Sequence, residues 1–443
     1  MFHGLDRILG NLKSGELPRM ALADLTDWLD EQSHGESLWY AKRLSANDTL
    51  ANNTHQAGPY VPKNVLFQIF PGLKRPDEEN PEVRFELFVD SHCDTRSVRA
   101  VWYNNKQRGG TRDEARLTGF GGKSSPLLDP ESTGALVLFV FSYKLGKTVP
   151  DCHVWVCEHA TQEDLIEDRI GPVEPGKGML WSPDIPVGID LVVPPSSVRS
   201  NCFLLENEIP PEWLLRFPGG AEIIKKTVEF RPLSGVNPDA RLLKRRECEY
   251  EIFQSVEEVM ELPIIRRGFS SVKEFIDRAQ TVLQRRKSRS GRSLELHVRE
   301  IFLEDGLSEG KEFSCQAESE SGKRPDFIFP SSTAYRDPYF PESRLRMLAA
   351  KTTCKDRWRQ IINEADRIRT KHLLTLQEGV SENQFREMTG SGVSLVVPEG
   401  LQNAYPGSVR PHLVTLESFI GDIRILGSEF RYGGESIAAE DES

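Results

Sequence analysis

Two short apolar segments near the C-terminus end on residues that could act on a phosphate. Asp326 follows a proline in "RPDFIFP", and Lys351 closes "RLRMLAAK". An aspartate on one strand and an acid-x-lysine on the next suits phosphodiester hydrolysis. Carboxylates hold a divalent cation that stabilises the charge building on the phosphate and acidifies the attacking water. The lysine orients that water or stabilises the transition state. Yet two residues before Lys351 stands Ala349, which binds no metal. Either one carboxylate is missing or it comes from elsewhere.

The segment after Lys351, "TTCKDRWRQIINEADRIRTKHLL", predicts a long helix with Trp358, Ile361, Ile362, Ala365 and Ile368 on one apolar stripe. Glu364 lies beside that stripe, on the same face as Arg357, and could swing back toward the strand end that carries Lys351. Charge and geometry matter to a Mg²⁺ site, whereas the sequence position of the ligand does not. Glu295, in "SLELHV" on an earlier helix, could bind a second ion or a metal-bound water. Spacing alone leaves the plainer reading open, in which Asp326 is a turn residue.

The elements that must position these groups fall into two parts. "ALADLTDWLDEQ" places Leu22, Leu25 and Leu29 at helical spacing, within an expected N-terminal helical extension over 1–37. From 38 to 175 short segments rich in Val, Phe and aromatics ("LFQIF", "RFELFVD", "VRAVWYN", "GALVLFVFSY", "CHVWVCEH") are divided by turn residues. They predict a β-rich barrel or sandwich. Prolines and glycines over 176–215 predict a linker. An α/β domain follows over 216–430, with two helices in "SVEEVMELPIIRRGFSSVKEFIDRAQTVLQRRKS", a third in "SLELHVREIFLEDG", and an acidic tail over 431–443.

The bulk numbers narrow the class. A chain of 443 residues exceeds one ordinary core. A net charge of −11 argues against a protein that coats nucleic acid indiscriminately, though not against basic residues gathered in clefts. No apolar run reaches the roughly 20 residues needed to cross a bilayer, so no membrane partner is expected. No signal peptide is apparent. Seven scattered cysteines suit reduced thiols in a cytoplasm.

Three other signals carry less. "GFGGKSS" lacks the glycine that a phosphate-binding loop needs at Leu117, and reads better as a loop beside DNA. In "CHVWVCEH" strand alternation sends Cys152 away from Cys157 and His159, so with His153 they make no convergent zinc site. The basic "QRRKSR" before Glu295 is expected to touch a DNA backbone.

Taken together, "RRKSRSGRSLELH", "RPDFIFPSSTAYRD", "RMLAAKTTCKDRWRQIINEAD" and "LLTLQEGVS" closely resemble the catalytic half of EcoRII-type restriction endonucleases. In this branch of the PD-(D/E)xK superfamily the second acid has moved to the helix after the lysine. "YAKRLSANDT", "HQAGPY", "DPESTGAL" and "IGPVEPG" resemble the family's N-terminal half. The resemblance spans roughly 38 to 425. It implies an N-terminal DNA-binding pseudobarrel, similar to plant B3 domains, and a C-terminal α/β/α restriction-endonuclease-like domain.

The resemblance also implies catalytic roles for Glu295, Asp326, Lys351 and Glu364, with Mg²⁺ held by Asp326, Glu364 and Glu295. Tyr335 matches a tyrosine near the family's site, with packing or a backbone contact as an equal alternative. Lys355, Asp356 and Arg357 match the motif that reads G·C pairs. Arg or Lys donates to guanine O6 and N7, and Asp accepts from cytosine N4. For Arg359 a surface ion pair is expected rather than a phosphate contact. His55, Tyr60, Arg112, Glu114 and Arg116 match the effector-DNA contacts of the N-terminal domain, although Gly110 and Ala115 stand where basic residues are expected.

The implied protein is a homodimeric, Mg²⁺-dependent type II site-specific deoxyribonuclease leaving 5′-phosphates. It cuts double-stranded DNA at a short CC/GG-containing near-palindrome and is released from autoinhibition by a second target copy. A cognate cytosine methyltransferase is expected as a genetic partner. The alternatives are a DNA-binding regulator with an inactive nuclease site, and a structure-specific repair or mobile-element nuclease. The intact acidic set argues against the first, and the "KDR" motif with the two-domain match against the second.

Overall fold

A computed structural model describes residues 22–33, 37–52, 58–144, 146–181 and 202–435. The expectations for the first 21 residues, His55, half of the linker (182–201) and the tail beyond 435 lie outside these.

The N-terminal part is built on seven strands: β1 (Ser37–Arg43), β2 (Glu82–Val89), β3 (Asp94–Tyr103), β4 (Glu114–Thr118), β5 (Leu136–Ser142), β6 (Asp151–Val156) and β7 (Gly178–Trp181). They lie in the order β4-β3-β2-β6-β5-β1-β7, with β2 and β6 the parallel neighbours and the other pairs antiparallel. Strand alternation divides the apolar residues between two cores. Along β5, Val137, Phe139 and Phe141 enter one and Leu136, Leu138 and Val140 the other. The sheet is therefore covered on both faces, which is why β5 is apolar without interruption.

Helix α1 (Leu22–Gln32) sets Leu25, Trp28 and Leu29 into the second core beside Trp155 and Ile166, the latter from α3 (Ala160–Ile170). It is thus part of this domain rather than an extension from it. "LFQIF", expected as a strand, instead belongs to α2 (Lys63–Ile69). Its buried Val65, Leu66 and Ile69 share one helical face against the first core.

The domain boundaries differ from those expected. The first sheet runs on to Trp181, because β7 pairs with β1. From Cys202 the chain already packs in the second domain. Leu204, Ile209 and Trp213, the last on α4 (Pro211–Leu215), join a core with Ile223 of α5 (Gly220–Phe230) and Ile252, Phe253 and Val256 of α6 (Pro238–Arg267). Cys202 and Cys248 form a disulfide there, so the expectation of seven reduced thiols is corrected for this pair.

The second and third helices expected after residue 270 are one continuous helix, α7 (Val272–Glu304). No breaker interrupts "KSRSGRS", since a single Gly291 costs only about 1 kcal/mol in a helix. The arginines of "QRRKSR", expected to touch a DNA backbone, are paired within the chain. Arg285 pairs with Glu261, Arg286 with Glu257 and Arg289 with Glu249, all along α6. The glutamates are buried and already answered, so the basic run serves to join two helices.

Beyond α7 lies a five-stranded sheet: β8 (Ser314–Cys315), β9 (Phe327–Phe329), β10 (Arg346–Lys351), β11 (Lys371–Thr375) and β12 (Val393–Val396), in the order β12-β11-β10-β9-β8. Leu348 and Ala350 of β10 face a core with Leu294, Val298, Ile301 and Phe302 of α7. Met347 and Ala349 face the opposite core with Trp358, Ile361 and Ala365. The result is the α/β/α sandwich expected of the C-terminal part.

Candidate active site

Antiparallel pairing of Phe327 with Leu348 sets Asp326, just before β9, alongside the end of β10. One carboxylate oxygen of Asp326, Oδ2, accepts from Ala350 N at 2.8 Å and from Lys351 Nζ at 3.2 Å. The other, Oδ1, accepts from Gln316 Nε2 at 2.8 Å. The same amide donates to Glu295 Oε2 at 2.8 Å, so Gln316 joins the acid on α7 to the acid beside β10. Glu295 reaches the site because α7 buries Leu294 and Val298 and turns the intervening residue toward the strand ends.

Glu364 arrives by a different route from the one the sequence predicts. The expected long helix is a single turn, α9 (Trp358–Ile361). Beyond it the chain turns sharply, with Ala365 in the left-handed region at φ 51°. Other groups claim the backbone that a helix would have used. Lys371 Nζ donates to Ala365 O at 2.6 Å, and Asp366 N to Glu320 at 3.0 Å. The apolar residues are nonetheless buried, because the turn packs them against the sheet.

Electrostatics tie the acids together. Burial, then the Asp326 charge, push both Glu295 and Glu364 up to about 7, with Lys351 acting in the opposite direction. Three carboxylates around one lysine are thus short of positive charge, which a divalent cation would supply. Among the described residues no three acidic, histidine or cysteine side chains already stand at ligand spacing. Instead, the Gln316 N–H donors satisfy two of the carboxylates. The donor set fits a hard cation once that amide turns aside.

Tyr335 is buried on a short helix, α8 (Ser332–Arg336), and its hydroxyl donates to Glu320. It also accepts from Arg367 N at 3.2 Å. These bonds hold the turn carrying Asp366.

The three candidate base-reading residues lie at the boundary between domains. Lys355 Nζ donates to Cys157 O at 3.0 Å and Glu158 O at 3.4 Å. Arg357 reaches Asp164 on α3 at 3.5 Å. Asp356 accepts from Arg359, which also pairs with Glu387, so Arg359 is the surface ion pair expected. Nearby, Glu174 of the first domain is inserted between Arg246 (3.1 Å) and Arg289 (2.9 Å) of the second. Burial opposes its charge, but the two guanidiniums outweigh burial and hold it down to about 2.

Of the effector-domain candidates, Tyr60, Arg112, Glu114 and Arg116 line one cleft of about 920 Å³. Glu114 pairs with Arg116 at 2.9 Å, and Arg112 stacks on Tyr103. Sequence reasoning missed Gln316, and also Gln377, whose Oε1 accepts from both Cys354 N (2.9 Å) and Lys355 N (3.0 Å). Neutral amides leave no charge pattern or spacing to find them by.

An acidic group with one lysine at the strand ends of an α/β/α sheet suits phosphodiester hydrolysis. Family models agree: "EcoRII C terminal" matches residues 253–420, and "Restriction endonuclease EcoRII, N-terminal" matches 33–184. Type II restriction enzyme EcoRII of Escherichia coli is 45% identical over 408 residues, covering 91% of this chain and 98% of the relative. The chain belongs to the EcoRII family of type II restriction enzymes, and is a site-specific deoxyribonuclease. Among solved structures, metal-depleted Ecl18kI with uncleaved, modified DNA is 19% identical, with a TM-score of 0.42 over 49% of this chain and 82% of that one. The UbaLAI restriction endonuclease B3 domain with cognate DNA is 18% identical, with a TM-score of 0.26 over 36% and 97%. Among the described residues no helix is long and apolar enough to cross a membrane.

Proposed function

We propose that this enzyme hydrolyses double-stranded DNA at a short near-palindrome containing CC and GG, with Mg²⁺ as cofactor. The observation that carries this is the gathering of Glu295, Asp326, Glu364 and Lys351 at one strand end. Asp326, Glu364 and Glu295 would hold the ion, which when bound stabilises the charge on the phosphate and acidifies the attacking water. Lys351, kept in place by Asp326, orients the water and offsets charge on the scissile phosphate. Water attacks phosphorus in line, the 3′ oxygen leaves, and a 5′-phosphate results. Lys355, Asp356 and Arg357 follow β10 directly, so reading the bases and placing the phosphate are coupled through a few residues of backbone.

Cutting both strands of a near-palindrome calls for two such sites and hence a homodimer through the catalytic domains. The contacts from Lys355 and Arg357 to the first domain support autoinhibition, since residues bound to Cys157, Glu158 and Asp164 are not available to bases. A second target copy in the N-terminal cleft would favour the separated arrangement. Digesting plasmid DNA with Mg²⁺ and sequencing the ends tests this reading. It expects one short motif with outer CC and GG at every end, and 5′-phosphates. Scattered ends without a shared motif would contradict it.

A further inference from the structure

The cleft of the first domain has one wall that belongs to the second. Among its described lining residues Glu378 alone comes from the catalytic domain, from the loop after β11. The backbone there is in close contact with the first domain. Ala46 N donates to Glu378 O at 2.8 Å, and a Cβ on Gly379 (φ 107°) would fall 2.4 Å from that of Ala46. The preceding residue, Gln377, is buried, with its side chain close against Gly134 of the first domain. Its side chain accepts from Cys354 N and Lys355 N, and donates to Gly379 O at 2.8 Å. Two consecutive residues therefore touch the effector cleft and the target-reading turn.

The charges of this cleft are unequal in what they leave for DNA. Asp48 is engaged by Lys42 Nζ, by Ser45 N and by Tyr60 N, and Glu114 by Arg116. Glu378 has no ion-pair partner among the described residues, while it lies within the fields of Lys42 and Asp48. A phosphate backbone drawn in by the half-exposed Arg112 would meet an unanswered carboxylate, and like charges in a partly desolvated cleft repel strongly.

We propose that Glu378 is the residue through which the catalytic domain senses DNA in the N-terminal cleft. Phosphate in the cleft expels its carboxylate, and the shift of the loop releases both the Ala46 contact and the amide support under Lys355. This rests on the two-site reading above and names the residue that would transmit it. Glu378 is a positioning residue and touches no reacting atom. Because coupling is reciprocal, a carboxylate that drives the domains apart when DNA enters must also weaken DNA binding while they are together.

The test uses the full-length enzyme, a plasmid with one target, and a short uncleavable duplex carrying the sequence at which the enzyme cuts. Wild type and Glu378→Asp, which keeps the charge, should be stimulated by saturating duplex. Glu378→Gln should respond about tenfold less, with half-maximal response at a several-fold lower duplex concentration. Wild-type stimulation in Glu378→Gln would overturn the proposal and leave the two-site reading standing. A Glu378→Gln rate that already equals the stimulated rate without duplex would also overturn it, by reducing Glu378 to a prop of the interface. If wild type itself shows no stimulation, the two-site reading falls and this inference with it.

Discussion

The ammonium of Lys355 ends on the carbonyl oxygen of Cys157, 3.0 Å away in the other domain. Lys355, proposed above to read guanine, would have to be released from this backbone contact first. Loosening the boundary should therefore raise activity on single-site DNA. Glu174→Gln removes the charge between Arg246 and Arg289, which both keep Glu249, so the contact between the domains weakens while the arginines stay paired. The variant is expected to cut a single-site plasmid faster than wild type without added duplex. Unchanged rates would show that this contact does not restrain the enzyme.

The same carboxylate makes the boundary sensitive to acid. Its folded pKa of about 2 lies below the ordinary 4.5. Its stabilisation is thus complete above the ordinary value and is lost as pH falls toward the folded one. Wild type should lose Tm more steeply than Glu174→Gln between about pH 5 and 3. Parallel curves would show that Glu174 ionises there as it does in water.

How much of this could be read in the residues depended on whether a signal was local. Asp326 and Lys351 were legible because each sits at the end of a short, continuously apolar strand, and such a run bounded by polar residues marks a buried strand. Glu364 was legible as an acid of the right reach but not in its setting. Its helical periodicity was overridden by Glu320, 46 residues from Asp366, and Lys371, six residues on from Ala365, whose side chains claim backbone groups of the turn. The ion pairs of the basic run at 284–289 were not legible for a related reason, since its glutamate partners lie on α6 and no local pattern links the two helices. "LFQIF" reads equally as strand or helix, and Pro62 with the core-facing Val65, Leu66 and Ile69 decided for helix.

Burial and the Asp326 charge hold Glu295 and Glu364 near 7, so each is partly protonated in neutral solution. A protonated carboxyl is a poor ligand, and binding a cation must drive the protons off. Mg²⁺ affinity should rise as pH increases through about 7, with net proton release. Calorimetry in buffers of different ionisation enthalpy measures that release directly. A pH-independent affinity without proton release would exclude these two acids as ligands.

Lys351 has Asp326 as its ion-pair partner, and Asp326 keeps its bond from Ala350 N when the lysine is lost. Lys351→Ala should therefore fold and bind target DNA while losing cleavage by about a hundredfold or more, the scale of one lost charge-stabilising donor. Gel shift and plasmid cleavage separate the two effects. Full cutting by the variant would remove Lys351 from the chemistry.

The central claim is that Glu364, delivered by the turn after α9, replaces the acid that Ala349 cannot supply. The direct measurement is cleavage of target DNA in Mg²⁺ by Glu364→Gln beside Asp326→Asn, with folding of each checked by its thermal transition. Both should lose at least about a hundredfold in rate with the fold retained. A folded Glu364→Gln enzyme that cuts at close to the wild-type rate would contradict the account.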